Sequence, residues 1–282
     1  MSRPPARWRR LVFANVKSKL TVLAVSLGAL AFTGAIAERI AAPVWSARRA
    51  SEPALQIDSA TAAAGQGVTL GLLGGFRAIV ADFAWIRLYV SWEARDLPAT
   101  ETIINLVTSL DPRPLYFWLN GARMMAYDMP VWRIESEGGY DAVPQARQDA
   151  ISHEQARLAL RRIEAAMRFH STSAALWTER ANIEWNRLHD AAAAAESYRR
   201  AWEQPEAPYF TARLHAEMLR RIGRKAEALA WLVKLHPLLP PADESARAVL
   251  VLERIRQLEG ELGVPPEQRY APPREIPALN RK

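Results

Sequence analysis

The chain contains no cysteine in 282 residues, which excludes disulfides, thiolate catalysis and cysteine-ligated zinc or iron–sulfur centres. Histidine is nearly as scarce. The five, at 153, 170, 189, 215 and 236, include no His-Glu-x-x-His and no pair at the helical spacing that a metal site uses. His153 adjoins Glu154, so those two side chains point to different faces, and no metal is expected. Glycine is low, at thirteen, for an α/β enzyme of this size with its many tight turns. No Gly-Lys-Ser/Thr follows Gly71, Gly74 and Gly75, and no strand precedes them. They read as a tight entry into a helix. A Gly-x-Ser-x-Gly nucleophile elbow is also missing. No cofactor and no small-molecule substrate are expected, and the protein does not read as an enzyme.

Acidic residues are absent from the whole start of the chain, the first being Glu38. Arg3, Arg7, Arg9, Arg10, Lys17 and Lys19 precede it. Of the net charge of +7, six units therefore sit in residues 1–19, which leaves +1 for the rest (seven less six). That distribution argues against nucleic acid as a partner. It fits a basic tail ahead of a membrane helix.

Residues 20–37, LTVLAVSLGALAFTGAIA, carry no charge over eighteen positions. They rise about 27 Å as a helix, the lower limit for a span. The charge asymmetry places 1–19 in the cytoplasm and the bulk of the chain across the inner membrane. The expected state is a single-pass, uncleaved signal anchor. A cleavable signal peptide is the competing reading, because Ala35-Ile36-Ala37 has a small-x-small pattern. Residues 38–69, with Pro43, Pro53, Gly65 and Gly67 among Ala, Ser and Thr, read as a linker.

The stretch 72–92, LLGGFRAIVADFAWIRLYVSW, is greasy, yet it contains Arg77, Asp82 and Arg87 five residues apart. Three ionised groups at about 2.5–3.5 kcal/mol each disfavour a second span. On a helix, Phe76, Ile79, Val80, Phe83 and Val90 form one apolar face, and Ala78, Ala81, Trp85, Leu88 and Trp92 another. Two apolar faces predict a helix sandwiched between neighbours. Residues five apart diverge by about 140°, so a buried Asp82 needs a partner from elsewhere. Arg123 or a tryptophan N–H is the expected one, which makes Arg77, Asp82, Arg87 and Arg123 a structural polar lock.

The rest is helical and repetitive. Ala181, Asn182, Trp185, Ala194, Tyr198 and Ala201 return 34 residues later as His215, Ala216, Leu219, Ala228, Leu232 and Leu235. Small residues let two helices cross closely, and large ones fill the gap to the next pair. Two looser units precede these. One pairs the greasy stretch with 100–110, carrying Ile104 and Val107. The other opens at LYFWLNGARMMAY, with Trp118, Gly121, Ala122 and Met125, and closes late on Ala159, Ile163 and Ala166. Between those two halves lies an insertion of about twenty residues, 131–150. Residues 243–262 read as one capping helix with Ala248, Leu252, Ile255 and Leu258 on its inner face. A proline-rich tail, 263–282, follows.

The 34-residue period resembles the tetratricopeptide repeat (TPR) family over 173–240. The family's usual glycine is replaced by Asn182 and Ala216, so the repeats are degenerate. Residues 70–130 also resemble exported, membrane-anchored repeat proteins of planctomycete and verrucomicrobial type. Gly75, Arg77, Ala81, Asp82, Trp85, Arg87, Asp111, Pro112, Trp118, Ala122, Ala126 and Tyr127 carry that second likeness. The expected fold class is all-α. It comprises an N-terminal transmembrane helix, a TPR-like α-solenoid of about four helix pairs over 70–240, and a cap over 241–262.

Helix A residues line the groove in the repeat family. The resemblance therefore implies a partner-binding surface at Glu179, Ile183, Asn186, Arg187, Arg213, Glu217, Arg220 and Arg221. Glu179 and Ile183 stand where the family's carboxylate clamp has Lys and Asn, so a C-terminal carboxylate ligand is not supported. The expected role is a membrane-anchored scaffold binding a protein partner in the cell envelope. An accessory subunit of a secretion, pilus or transporter complex is an alternative. Another is an enzyme acting on envelope polymers through Glu135, Glu137 and Asp141 of the insertion.

Overall fold

A computed structural model describes residues 76–273 of the protein. The predicted basic tail, span and linker, and residues 274–282 of the proline-rich tail, lie outside the described residues. Among the described residues every regular element is helical. No helix there is long and apolar enough to cross a membrane.

Helices α1 (Arg77–Glu93) and α2 (Leu97–Leu110) form the first hairpin. Arg95 turns the chain at a φ of 55°, and Asp96 caps α2 by accepting from the Ala99 amide at 3.0 Å. Next comes α3 (Leu115–Arg123), after Asp111-Pro112 has ended α2. A π-helical turn, Met124–Asp128, joins α3 to α4 (Met129–Ser136). The longest helix, α5 (Gln145–Met167), follows. Helices α6 (Ala174–Leu188) and α7 (Ala191–Trp202) are joined by two residues. His189, left-handed at φ 54°, ends the one, and Asp190 caps the other through the Ala193 amide at 2.9 Å. Helices α8 (Tyr209–Arg221) and α9 (Lys225–Leu235) turn at Gly223, whose φ of 81° suits glycine. Short 3-10 turns at His236–Leu238 and Glu244–Ala246 lead into α10 (Ala248–Glu261).

Packing follows chain order. From α5 onward each helix lies against its predecessor, while α1 packs on α2, α2 on α3, and α3 on α5. Ala181, Ala194, Ala216 and Ala228 are buried in one apolar cluster with Tyr198, Leu219, Leu232 and Leu235. Small side chains there permit the close helix approach that the spacing predicts. A second cluster fills the N-terminal half around Ile104, Trp118, Ala122, Met129, Ile163 and Leu176. Each large aliphatic in these cores is worth about 1.5–3 kcal/mol of burial. Helix α6 serves both clusters. Leu176 and Ile183 face the first and Ala181 faces the second.

At Gly121 α2 and α3 approach closely, since a β-carbon there would stand 2.7 Å from Ile104 Cγ2. Trp118 Nε1 donates to the Pro112 carbonyl at 2.9 Å, and the ring stacks on Phe169 at 5.7 Å. Trp85 of α1 meets Tyr116 and Phe117 at 5.4 and 5.1 Å.

Four expectations are corrected. Helix α1 buries a single face, Ala81, Trp85 and Leu88, and its second apolar face is exposed. The 131–150 insertion is mostly helix, because 131–136 belong to α4 and 145–150 to α5. Only 137–144 form a connecting turn. The unit opening at 115 is longer than a single repeat helix, continuing through the π turn to Ser136. The cap starts at Ala248, since Arg247 is left-handed at φ 49° and interrupts any helix from 243.

Candidate functional site

A concavity of 310 Å³ lies between α8 and α10. Pro208 starts α8 and so places Phe210 at its first turn, 41% exposed. One turn on, the Arg213 guanidinium donates to the Ser245 and Ala246 carbonyls at 3.0 and 2.8 Å. These two bonds fix the turn before α10, and so set where α10 begins against α8. Leu250, Val251, Arg254 and Leu258 then form the facing wall, and Leu232 of α9 contributes to the floor.

The walls are apolar with a cationic rim. Glu217 accepts from Arg220 at 2.7 Å and from Arg221 at 3.0 Å. The Arg220 hydrogen bond holds the Glu217 carboxyl below its ordinary range, and burial opposes that only partly. Glu217 is thereby occupied by its own helix. Arg254 contacts only the neutral Gln257, at 2.8 Å, and makes no ion pair among the described residues. Burial lowers the Arg213 pKa, and the neighbouring Arg247 charge acts in the same direction. The groove thus offers apolar surface beside Arg254, whose charge helps lower the Glu217 pKa although the two form no ion pair.

The predicted groove residues are divided by the fold. Arg213, Glu217 and Arg220 line this concavity together, and Arg221 sits at its edge through Glu217. Asn186 and Arg187 line a separate polar cavity of 230 Å³ with Tyr140, Gln148, Asp149 and His153. There the Arg187 guanidinium stands 4.5 Å over the Tyr127 ring. Burial raises the Tyr127 pKa. Ile183 is fully buried, and Glu179 is 3% exposed and bound to Arg123, so neither offers a side chain to a partner as expected.

The polar lock also differs from expectation. Asp82 and Arg87 are exposed on α1, far from burial, because the acid lies on the side of the helix away from α2. Arg123 reaches Glu179 of α6 instead, its Nε and Nη2 both 2.8 Å from Oε2. Arg77 is half-buried at the start of α1. The four residues therefore form no common network through Asp82.

In the former insertion, Glu135 pairs with Arg95, and Glu137 with Arg147 at 2.6 Å. Hydrogen bonding from Arg147 lowers the Glu137 pKa. Glu135 and Glu137 each meet a cation rather than another carboxylate, and Asp141 is exposed on the connecting turn. No group of three or more potential metal ligands occurs among the described residues.

Sequence reasoning passed over Phe210, Leu250 and Arg254. The available signal was Val249-Leu250, an apolar pair lying off the Ala248–Leu252–Ile255–Leu258 stripe of the cap. Set beside known proteins, the chain matches no family model, no curated protein and no solved structure.

Proposed function

We propose that this protein is a membrane-anchored, TPR-like α-solenoid scaffold that holds a segment of a protein partner in the α8–α10 groove. The carrying observation is that groove: Phe210 and Leu250 leave apolar surface open beside Arg254. An exposed apolar wall next to a cation suits a peptide segment with a large apolar side chain and a nearby carboxylate. Helix-on-helix packing in chain order and the 34-residue spacing support the repeat reading. The uncharged 20–37 run behind a basic tail supports the anchor, with the groove on the extracytoplasmic side of the inner membrane.

The test is co-purification of the full chain from detergent-solubilised membranes, with proteins identified by mass spectrometry. Leu250→Glu and Arg254→Glu alter exposed or half-exposed groove positions and are expected to leave the melting temperature unchanged. The expected result is one set of proteins retained by the parent chain and lost from both variants. The reading fails if nothing co-purifies with the parent, or if the same proteins come with all three. A periplasmic reporter fused after residue 60 and active only there checks the topology.

A further inference from the structure

Helix α1 presents an apolar seam that the other described residues leave exposed. Phe76, Ile79, Phe83, Ile86 and Val90 are 61, 50, 68, 64 and 64% exposed. Their steps of three, four, three and four residues place them at alternating a and d positions of a heptad. The buried residues Ala81, Trp85 and Leu88 occupy c and f positions, which hold α1 on its own domain and turn the seam outward. In this register Asp82 falls at g and Arg87 at e of the following heptad. Neither makes an ion pair among the described residues.

We propose that α1 is a dimerisation helix that pairs in parallel with α1 of a second copy of this chain. The charge pattern selects that occupant. In a parallel two-stranded pair, a g residue faces the e residue five places further along the partner helix. Asp82 of each copy then meets Arg87 of the other, twice across the twofold axis. An antiparallel pair would set e against e and g against g, losing both bridges. The five-residue spacing cannot serve α1 alone, where 82 and 87 diverge by about 140°, but it serves two parallel helices. The seam is short for an isolated coiled coil. Here α1 is already held helical by its packing on α2, so association does not carry the cost of forming the helix.

The absence of native cysteine allows a direct test on the full chain in mild detergent. Single variants Ile79→Cys and Ile86→Cys are oxidised with copper-phenanthroline, with Val249→Cys on α10 as an exposed control. In a parallel pair each seam position faces its own counterpart, so both 79 and 86 cross-link and 249 does not. Charge exchange is read by sedimentation. Asp82→Arg and Arg87→Asp are each expected to raise the dimer dissociation constant roughly fivefold, and the double exchange to restore it. All of these positions are exposed, and far-UV circular dichroism confirms folding. Cross-linking at only one seam position, without rescue by the double exchange, indicates an antiparallel or unrelated contact and overturns the proposal. A monomer whose bimane label at Ile86→Cys is quenched by lipid-phase nitroxides assigns the face to a bilayer, and equally overturns it. So does a monomer without quenching.

Discussion

Replacing Arg123 by alanine is expected to destabilise the protein more than replacing its partner, and the asymmetry follows from burial. Glu179 sits 3% exposed on α6, whereas the Arg123 side chain is about half exposed, at 51%. Both ends of the guanidinium fork converge on one oxygen at 2.8 Å. Removing the arginine leaves a carboxylate in a water-poor site without its cation. A fully buried pair broken in this way costs about 3–5 kcal/mol. Solvent around Arg123 and the 430 Å³ concavity beside both residues admit water, so about 2–3 kcal/mol is the expected cost here. Glu179→Ala instead releases an arginine that can turn to solvent, at about 1 kcal/mol. The double variant should resemble Glu179→Ala alone. Urea denaturation reads these differences as midpoint shifts at constant m, with Arg123→Ala melting roughly 4–10 °C lower. If Glu179→Ala costs as much as Arg123→Ala, the carboxylate is not the stranded partner and the reasoning fails.

Gly121→Ala should lower stability by about 1–2 kcal/mol despite alanine's better helix propensity, because the new methyl meets Ile104 Cγ2 at 2.7 Å. Chemical denaturation checks it. At the left-handed turns of His189 and Gly223 the effects should have opposite sign. Gly223→Ala is expected to cost about 1 kcal/mol, and His189→Gly to gain up to about 1 kcal/mol, in the same assay. Burial lowers the His215 and His236 pKa values below 6.5. The unfolded chain therefore binds those protons more readily, so stability present above pH 6.5 declines as pH falls through the lowered folded values. The Glu217 carboxyl, lowered by its Arg220 hydrogen bond, contributes in the same direction as pH falls below its ordinary 4.5. His215→Gln should flatten the decline when denaturation midpoints are compared between pH 7.5 and 5.

The helical class and the C-terminal hairpins were legible because their signals are local. Alanines at fixed spacing, Ser173 and Asp190 before α6 and α7, and a glycine in the α8–α9 turn all act within a few residues. The same signals misled around 131–150. Gly138-Gly139 and Pro144 mark a real turn, but the acidic and amide residues on either side are good helix formers and belong to α4 and α5. The π turn at Met124–Asp128 adds one residue to a helix without changing composition, so periodicity alone does not reveal it. Asp82 was misplaced for a different reason. An apolar neighbourhood suggested burial, but Phe83, Ile86 and Val90 are themselves outside. Composition cannot tell a covered apolar face from an open one. Half of the groove was visible as the basic face of α8. The other half depends on the Arg213 contact with the Ser245 and Ala246 carbonyls, a pairing across thirty-odd residues that no local pattern encodes.

The sharing of α6 between two apolar clusters bears on how the molecule comes apart. Leu176 and Ile183 tie that helix to the N-terminal core, and Ala181 ties it to the C-terminal one. Helix α6 is also bound to α7, through Ser197 to Glu184 at 2.6 Å and Tyr198 to Asn182 at 2.7 Å, so opening of α7 to α10 as a block has to break those bonds as well as the apolar contacts of Ala181 and Trp185. Amide exchange should then resolve two protection levels. Arg123 and Glu179 lie on the slower side of that division, and the groove between α8 and α10 lies wholly on the faster one. A partner seated there would lock the more labile block, and binding would be read at a distance as slowed exchange throughout α7 to α10.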